Sequence, residues 1–291
     1  MKYEFIQAHR FAFAVKKMCQ VFRVSRSGYY DWFDRSKSQR SIENNVLLKE
    51  IKEIHKNSHQ TYGSPRIADE LKDRGFACSR PRTARLMRMN GIQAKTKKKF
   101  KVTTHSDHSY SIAPNLLKQD FWTDAANRIW MSDITYIRTW QGWLYLTIIL
   151  DMFTRKVVGW SMSDRLTVNT TTIPAFIQAV KQYHPLPGLI FHSDRGVQYA
   201  SDDFRHLLKT FDVIQSMSGK GNCYDNAVAE SFFHTLKTEL VYHETYRTRT
   251  EAKTSIFEYI EVFYNRFRKH SALGYKSPEQ YEQQSTFKQA I

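Results

Sequence analysis

The chain of 291 residues carries 44 Lys and Arg against 28 Asp and Glu, a formal charge of +16. That length suggests about two domains, and a hydrophobic content of 41% excludes wholesale disorder. No apolar run reaches the roughly 18–20 residues of a membrane span, and the N-terminus lacks a signal-peptide apolar region, so a cytoplasmic protein that does not engage a membrane is expected.

The charge is uneven. Residues 1–120 hold 25 basic against 11 acidic residues, whereas residues 121–291 hold 19 against 17. A basic N-terminal half on a nearly neutral C-terminal half suggests a nucleic-acid grip feeding a separate working domain. A basic solvated surface without a partner is the other reading of the charge. Cys19, Cys78 and Cys223 are far apart in the sequence, which predicts neither a zinc site nor a disulfide framework.

In chain order, Ala14–Phe22 alternates apolar and basic residues at helical spacing. Ser25 then offers an N-cap to a second short helix bearing Tyr29, Tyr30, Trp32 and Phe33. The pair is the size of a helix-turn-helix, although a plain two-helix hairpin fits the same pattern. Ile42–His55 reads as an amphipathic helix on an Ile42, Val46, Leu47, Ile51 and Ile54 stripe. Ser64 as cap and Pro65 at the first position predict the next helix, running to about Asp73. A third helix from Arg80 to Met89 carries Arg80, Arg82, Arg85 and Arg88, four guanidinium groups suited to phosphate. A merely solvated basic face is the other reading. Lys95–Lys101 is a basic run in a linker that could track phosphates.

From Arg128 the periodicity changes to that of strands. Arg128–Ile137, Trp143–Asp151 and Lys156–Met162 are predicted strands, with a hairpin turn at Thr139–Gly142. A helix over Val168–Tyr183, a strand Leu189–His192, a helix Asp202–Lys209, a strand Val213–Ser216 and a helix Asp225–Tyr242 follow. The expected fold class is α/β, a mixed five-stranded sheet with flanking helices, preceded by an all-helical N-terminal region.

Three acids stand out. Asp133 is mid-strand, where a carboxylate is costly unless paired or coordinating. Asp194 follows a short apolar strand, the end at which α/β sheets place ligands. Glu230 is on a helix, 35 residues beyond Asp194, and shares a face with Asn226 and Lys237. Three such carboxylates can hold a pair of Mg²⁺ ions, which serve phosphodiester chemistry. Asp225 is expected to face elsewhere, and Asp151 to pair with Arg155.

Trp130-x-x-Asp133-Ile134-Thr135-Tyr136, His192-Ser193-Asp194-Arg195-Gly196-x-Gln198-Tyr199 and Asp225-Asn226-Ala227-x-x-Glu230-Ser231-Phe232-Phe233-x-x-Leu236-Lys237 closely resemble the catalytic core of insertion-sequence transposases, specifically the second reading frame of the "IS three" family. Tyr264-Asn265-Arg266 with His270-Ser271-Ala272-Leu273-Gly274-Tyr275-x-Ser277-Pro278, and Tyr62-Gly63-x-Pro65-Arg66-Ile67, extend the resemblance to most of the chain. It implies an RNase H-like integrase core with Asp133, Asp194 and Glu230 as catalytic and metal-holding residues, two Mg²⁺ ions (Mn²⁺ the alternative), and Lys237 contacting DNA near the cut. Asn226, Arg66, Arg82, Arg85, Arg266, Arg268, Lys269 and His270 are further candidates for DNA contact.

The expected organisation is a short helix-turn-helix-like segment (1–40), a helical DNA-binding domain (41–94), a basic linker (95–123), the catalytic core (124–245) and a C-terminal helical and basic segment (246–291). The implied activity is metal-dependent end cleavage and strand transfer through a circular intermediate. Its partners are element ends and target DNA, further copies of the chain on DNA, and an upstream-frame fusion or partner; its place is the nucleoid. A DNA-binding regulator with an inactive core and a nuclease without strand transfer are the other readings.

Overall fold

Periodicity and caps decide where the helices begin and end. The computed structural model describes residues 1–36, 38–95, 110–219 and 223–289. The basic run expected to track phosphates, apart from Lys95, lies outside them. Three short helices open the chain: α1 (Lys2–Ala8), α2 (Val15–Phe22) and α3 (Arg26–Asp34). Ser25 caps α3, its Oγ accepting from the Gly28 amide at 3.3 Å. Helix α1 was not anticipated; it buries Ile6 against Met18, Cys19 and Tyr29 in a small separate core.

A second helical unit follows, α4 (Gln39–Asn57), α5 (Ser64–Asp73) and α6 (Arg80–Met89). The expected Ser64 cap is corrected. Gly63 occupies the cap position, no side chain caps the helix, and Ser64 is already helical. Ser79 does cap α6, accepting from the Arg82 amide.

The sheet has five strands, β1 (Ile129–Thr139), β2 (Gly142–Asp151), β3 (Val157–Ser163), β4 (Ile190–Ser193) and β5 (Ile214–Met217), in the order β3-β2-β1-β4-β5. Trp140 and Gln141 turn β1 into antiparallel β2, Gly142 taking φ +102°, a region that favours glycine. β4 and β5 run parallel to β1, which requires helical crossovers. These are α7 (Thr172–Tyr183) and, after a short turn α8 (Val197–Ala200), α9 (Asp202–Thr210).

Both sheet faces are buried. One packs Trp130, Phe176, Phe191 and Phe204. The other packs Leu146 and Ile148 against α10 (Ala227–Glu239) and α11 (Arg249–Phe257), and the same cluster continues through Ile51 and Leu71 of the helical unit. Beyond α11 the chain widens into a π-helical stretch, Glu258–Tyr264, which turns Tyr259, Ile260, Phe263 and Tyr264 inward together. A last helix, α12 (Pro278–Gln289), follows. Among the described residues no helix is long and apolar enough to cross a membrane.

β3 and α7 approach closely at Gly159. A Cβ there would stand 2.5 Å from the Ala175 carbonyl oxygen and 2.7 Å from the Ala179 Cβ. Gly159→Ala therefore pushes α7 off the sheet and costs about 1–3 kcal/mol. Thermal unfolding should show a midpoint lowered by roughly 2–10 °C; an unchanged midpoint would contradict the close approach.

Candidate active site

Strand order brings the first two acids together. Asp133 lies mid-β1, and the parallel register pairs Met131 with His192. Two steps along either chain reach Asp133 and Asp194 side by side. Asp133 Oδ1 accepts from the Ile134 amide at 2.8 Å, and Asp194 Oδ1 accepts from the Gly196 amide at 2.9 Å.

Glu230 arrives from the other direction, in the first turn of α10. Asn226 ties the start of that helix to the sheet, its Nδ2 donating to the Ser132 carbonyl at 3.2 Å. Its Oδ1 is buried and meets no donor among the described residues. The amide thus serves the helix–sheet junction, which corrects the expectation of a DNA contact by Asn226.

The electrostatics show the convergence. The Asp133 carboxyl is held well above the usual carboxylate range, first by burial, then by the charge of Asp194 and, more weakly, of Glu230. Glu230 is raised too, by burial and then Asp194. Lys237 lies within reach of the same field: burial lowers its ammonium, and Asp133 opposes that. Among the described residues no group of three or more His, Cys, Asp or Glu is gathered closely enough to hold a metal ion.

Other motif residues build the frame. Ser132 Oγ donates to the Ile148 carbonyl and takes the Tyr199 hydroxyl, both at 2.7 Å. His192 lies between Ser216 Oγ at 2.8 Å and Ser218 Oγ at 3.3 Å, and burial pushes its imidazole down to about 4. It is neutral at neutral pH and joins β4 to β5. Asp225 accepts from Asn115 Nδ2 and the Gly219 amide. Asp151 accepts from Asn127 and Thr154, and its charge also acts on the Arg155 guanidinium. The sequence reading missed Tyr199 and Ser132 as partners; only their places inside the motifs hinted at them.

The basic residues divide. Arg85 and Arg266 are exposed. Arg82 is fastened to α4 through Asn44 at 2.8 Å and Glu43 at 3.1 Å, and Arg66 lies 3.5 Å from Glu239. Arg268, Lys269 and His270 are not exposed phosphate contacts, and that expectation is corrected. Arg268 is 4% exposed and grips Glu239 with Nε and Nη2 at 2.8 and 2.7 Å. Lys269 is buried among Asp69 at 2.6 Å, Glu70 at 3.2 Å and Asp73. His270 accepts from Arg268 Nη1 at 3.0 Å, and burial followed by the Arg268 charge pushes it down to about 2. With Tyr62, whose hydroxyl donates to the Phe267 carbonyl at 3.0 Å, these residues clasp the second helical unit to the core.

Known families and proteins resemble this chain. A family model described as an integrase core domain matches residues 123–223, a second integrase core domain model matches 230–286, and an HTH-like domain model matches 42–100. The IS600 insertion-element 31 kDa protein of Shigella sonnei is 46% identical over 261 residues, covering 90% of this chain and 96% of that protein. Transposase InsF for insertion sequence IS3A of Escherichia coli (strain K12) is 41% identical over 284 residues, covering 97% of this chain and 98% of that one. The catalytic core domain of BIV integrase aligns with a TM-score of 0.43 at 17% identity, over 57% of this chain and 99% of that one.

An RNase H-like sheet with an integrase core defines an enzyme that cuts DNA and joins the freed end to another strand. Within that class, the chain belongs to the family of insertion-sequence transposases that includes the IS3 transposases. Its activity is DNA cleavage and strand transfer.

Proposed function

We propose that Asp133, Asp194 and Glu230 are the catalytic carboxylates of this transposase, and that one site performs both end cleavage and strand transfer. The observation that carries the reading is the β1–β4 register that sets Asp133 next to Asp194, with burial and the Asp194 charge raising both Asp133 and Glu230. Hard oxygen ligands at a site short of cations fit two Mg²⁺ ions, with Mn²⁺ the alternative. Asp133, Asp194 and Glu230 would hold them. When bound, such a pair activates a hydroxyl and offsets charge on the leaving oxygen of an in-line displacement.

The chain's own residues supply the rest. Lys237, facing Asp133 across the site, holds a phosphate oxygen of the strand to be cut. The exposed guanidinium groups of Arg80, Arg85 and Arg88 on α6 suit DNA backbone, and Arg266 adds another from the C-terminal segment. The helical units grip the element ends while the sheet works, on two or more copies of the chain, by way of a circular DNA intermediate. An upstream-frame fusion supplies further end recognition. The setting is the nucleoid of the cytoplasm.

The test is a joining assay on element ends in Mg²⁺, with wild type and Glu230→Gln compared. Joined strands from wild type and none from the variant, with equal DNA binding, are expected. Undiminished joining by Glu230→Gln overturns the assignment, and cutting without joining by wild type favours a nuclease.

A further inference from the structure

The β1–β2 hairpin carries aromatic side chains that neither the carboxylates nor the core accounts for. Residues 136–145 read Tyr-Ile-Arg-Thr-Trp-Gln-Gly-Trp-Leu-Tyr, with one Arg and no acid. The register sets Tyr136 opposite Tyr145 and Arg138 opposite Trp143, so by strand alternation these four share one sheet face. The Tyr136 ring meets Tyr145 at 5.2 Å and Trp143 at 6.2 Å, both edge to face. Trp143 is 49% exposed, and Trp140 at the tip 71%.

The inner end of this ladder lies three residues along β1 from Asp133, on the opposite face of the strand by the same alternation. The Tyr136 phenol is pushed up by burial and Tyr145, and then by the charges of Asp194 and Asp133. The tip is pinned from behind. The Trp140 amide donates to the Tyr246 carbonyl at 3.0 Å, and Arg249 donates to Gln141 Oε1 at 3.0 Å and to the Trp143 carbonyl at 3.1 Å. The Arg247 guanidinium stands 5.6 Å from the Trp140 ring centre. Large rings held out on a fixed hairpin mark an interaction surface, and Arg138, Arg247 and Arg249 make its surroundings cationic. A flat, anionic partner fits both features. Paired bases offer no free face within a duplex, whereas unpaired bases stack on aromatic rings regardless of sequence.

The geometry points to Trp143, Tyr145 and Tyr136, with Trp140 at the tip, as a stacking platform for unpaired nucleotides, along β1 from the reaction centre. Arg138 and Arg247 take the phosphates of those nucleotides. The inference rests on Asp133, Asp194 and Glu230 being the reaction centre, and it adds that the enzyme engages an opened strand end.

The test measures binding of the full chain in Ca²⁺, which separates binding from chemistry. One probe is a blunt element-end duplex; the other has the same sequence with its last few nucleotides unpaired. Trp143→Ala should weaken binding to the forked probe between about fivefold and a hundredfold, and change blunt-duplex binding less than about twofold. Trp143→Phe should keep most of the forked-probe affinity. Equal loss on both probes, or no loss on either, overturns the platform. A variant that alters self-association instead assigns the face to a second copy and overturns it too. Wild type that prefers the forked probe while Glu230→Gln joins strands undiminished keeps the platform and sinks the catalytic reading.

Discussion

Asp133→Asn is expected to abolish strand joining, by about 10³-fold or more, while DNA binding survives and the fold becomes more stable. The two effects have one cause. Burial and the neighbouring Asp194 and Glu230 hold the Asp133 carboxyl above its unfolded value. A raised carboxyl subtracts stability as pH climbs from the unfolded pKa, about 3.9, through the folded one. Above that window the full penalty is present, and asparagine removes it. The gain should be on the order of 1 kcal/mol, or roughly 2–4 °C in the unfolding midpoint. Joining by wild type should fall as pH is lowered toward the folded pKa, because protons compete with cations for the same oxygens. Thermal unfolding and joining assays on the two proteins check both halves. A variant that joins strands at wild-type rate, or that is less stable, refutes the account of Asp133.

Glu239→Gln is expected to lower stability by about 3–5 kcal/mol, or roughly 6–20 °C. Glu239 is 9% exposed and receives Arg268 through two nitrogens, the Tyr259 hydroxyl at 2.7 Å and, more loosely, Arg66. Its partners come from α5, the π-helical stretch and the turn after it. Removing the charge leaves the Arg268 guanidinium inside the protein without its counter-ion. Replacing both members, Glu239→Leu with Arg268→Met, should recover most of the loss, since an apolar pair of similar volume carries no desolvation cost. Melting curves of the single and double variants decide the matter; a single variant as stable as wild type would show that the clasp contributes nothing.

Strand and helix limits were readable because their signals are local. Alternation marked β1 and β2 to within a residue or two, and turn chemistry at Thr139–Gly142 placed the hairpin. The α10 and α6 helices likewise followed their patterns. Helix α1 escaped because only seven residues form it and its one buried residue, Ile6, needs α2 and α3 to cover it. The π-helical stretch escaped for a related reason. Its extra residue per turn is stabilised by four side chains entering the core at once, not by any local preference.

By itself, the sequence determined the chemistry on offer. A mid-strand Asp133, an Asp194 at a strand end and a Glu230 on a helix are unusual placements whose oddity is visible residue by residue, and the motifs around them carry the family. Tertiary structure alone decided which charges are free to act. Arg268 and Lys269 read as a basic surface in the sequence, yet Glu239, Asp69 and Asp73 enclose them from elements as far as 200 residues away. Pairing of that kind depends on distance in space, and a charge taken out of water stays charged only where such partners meet it.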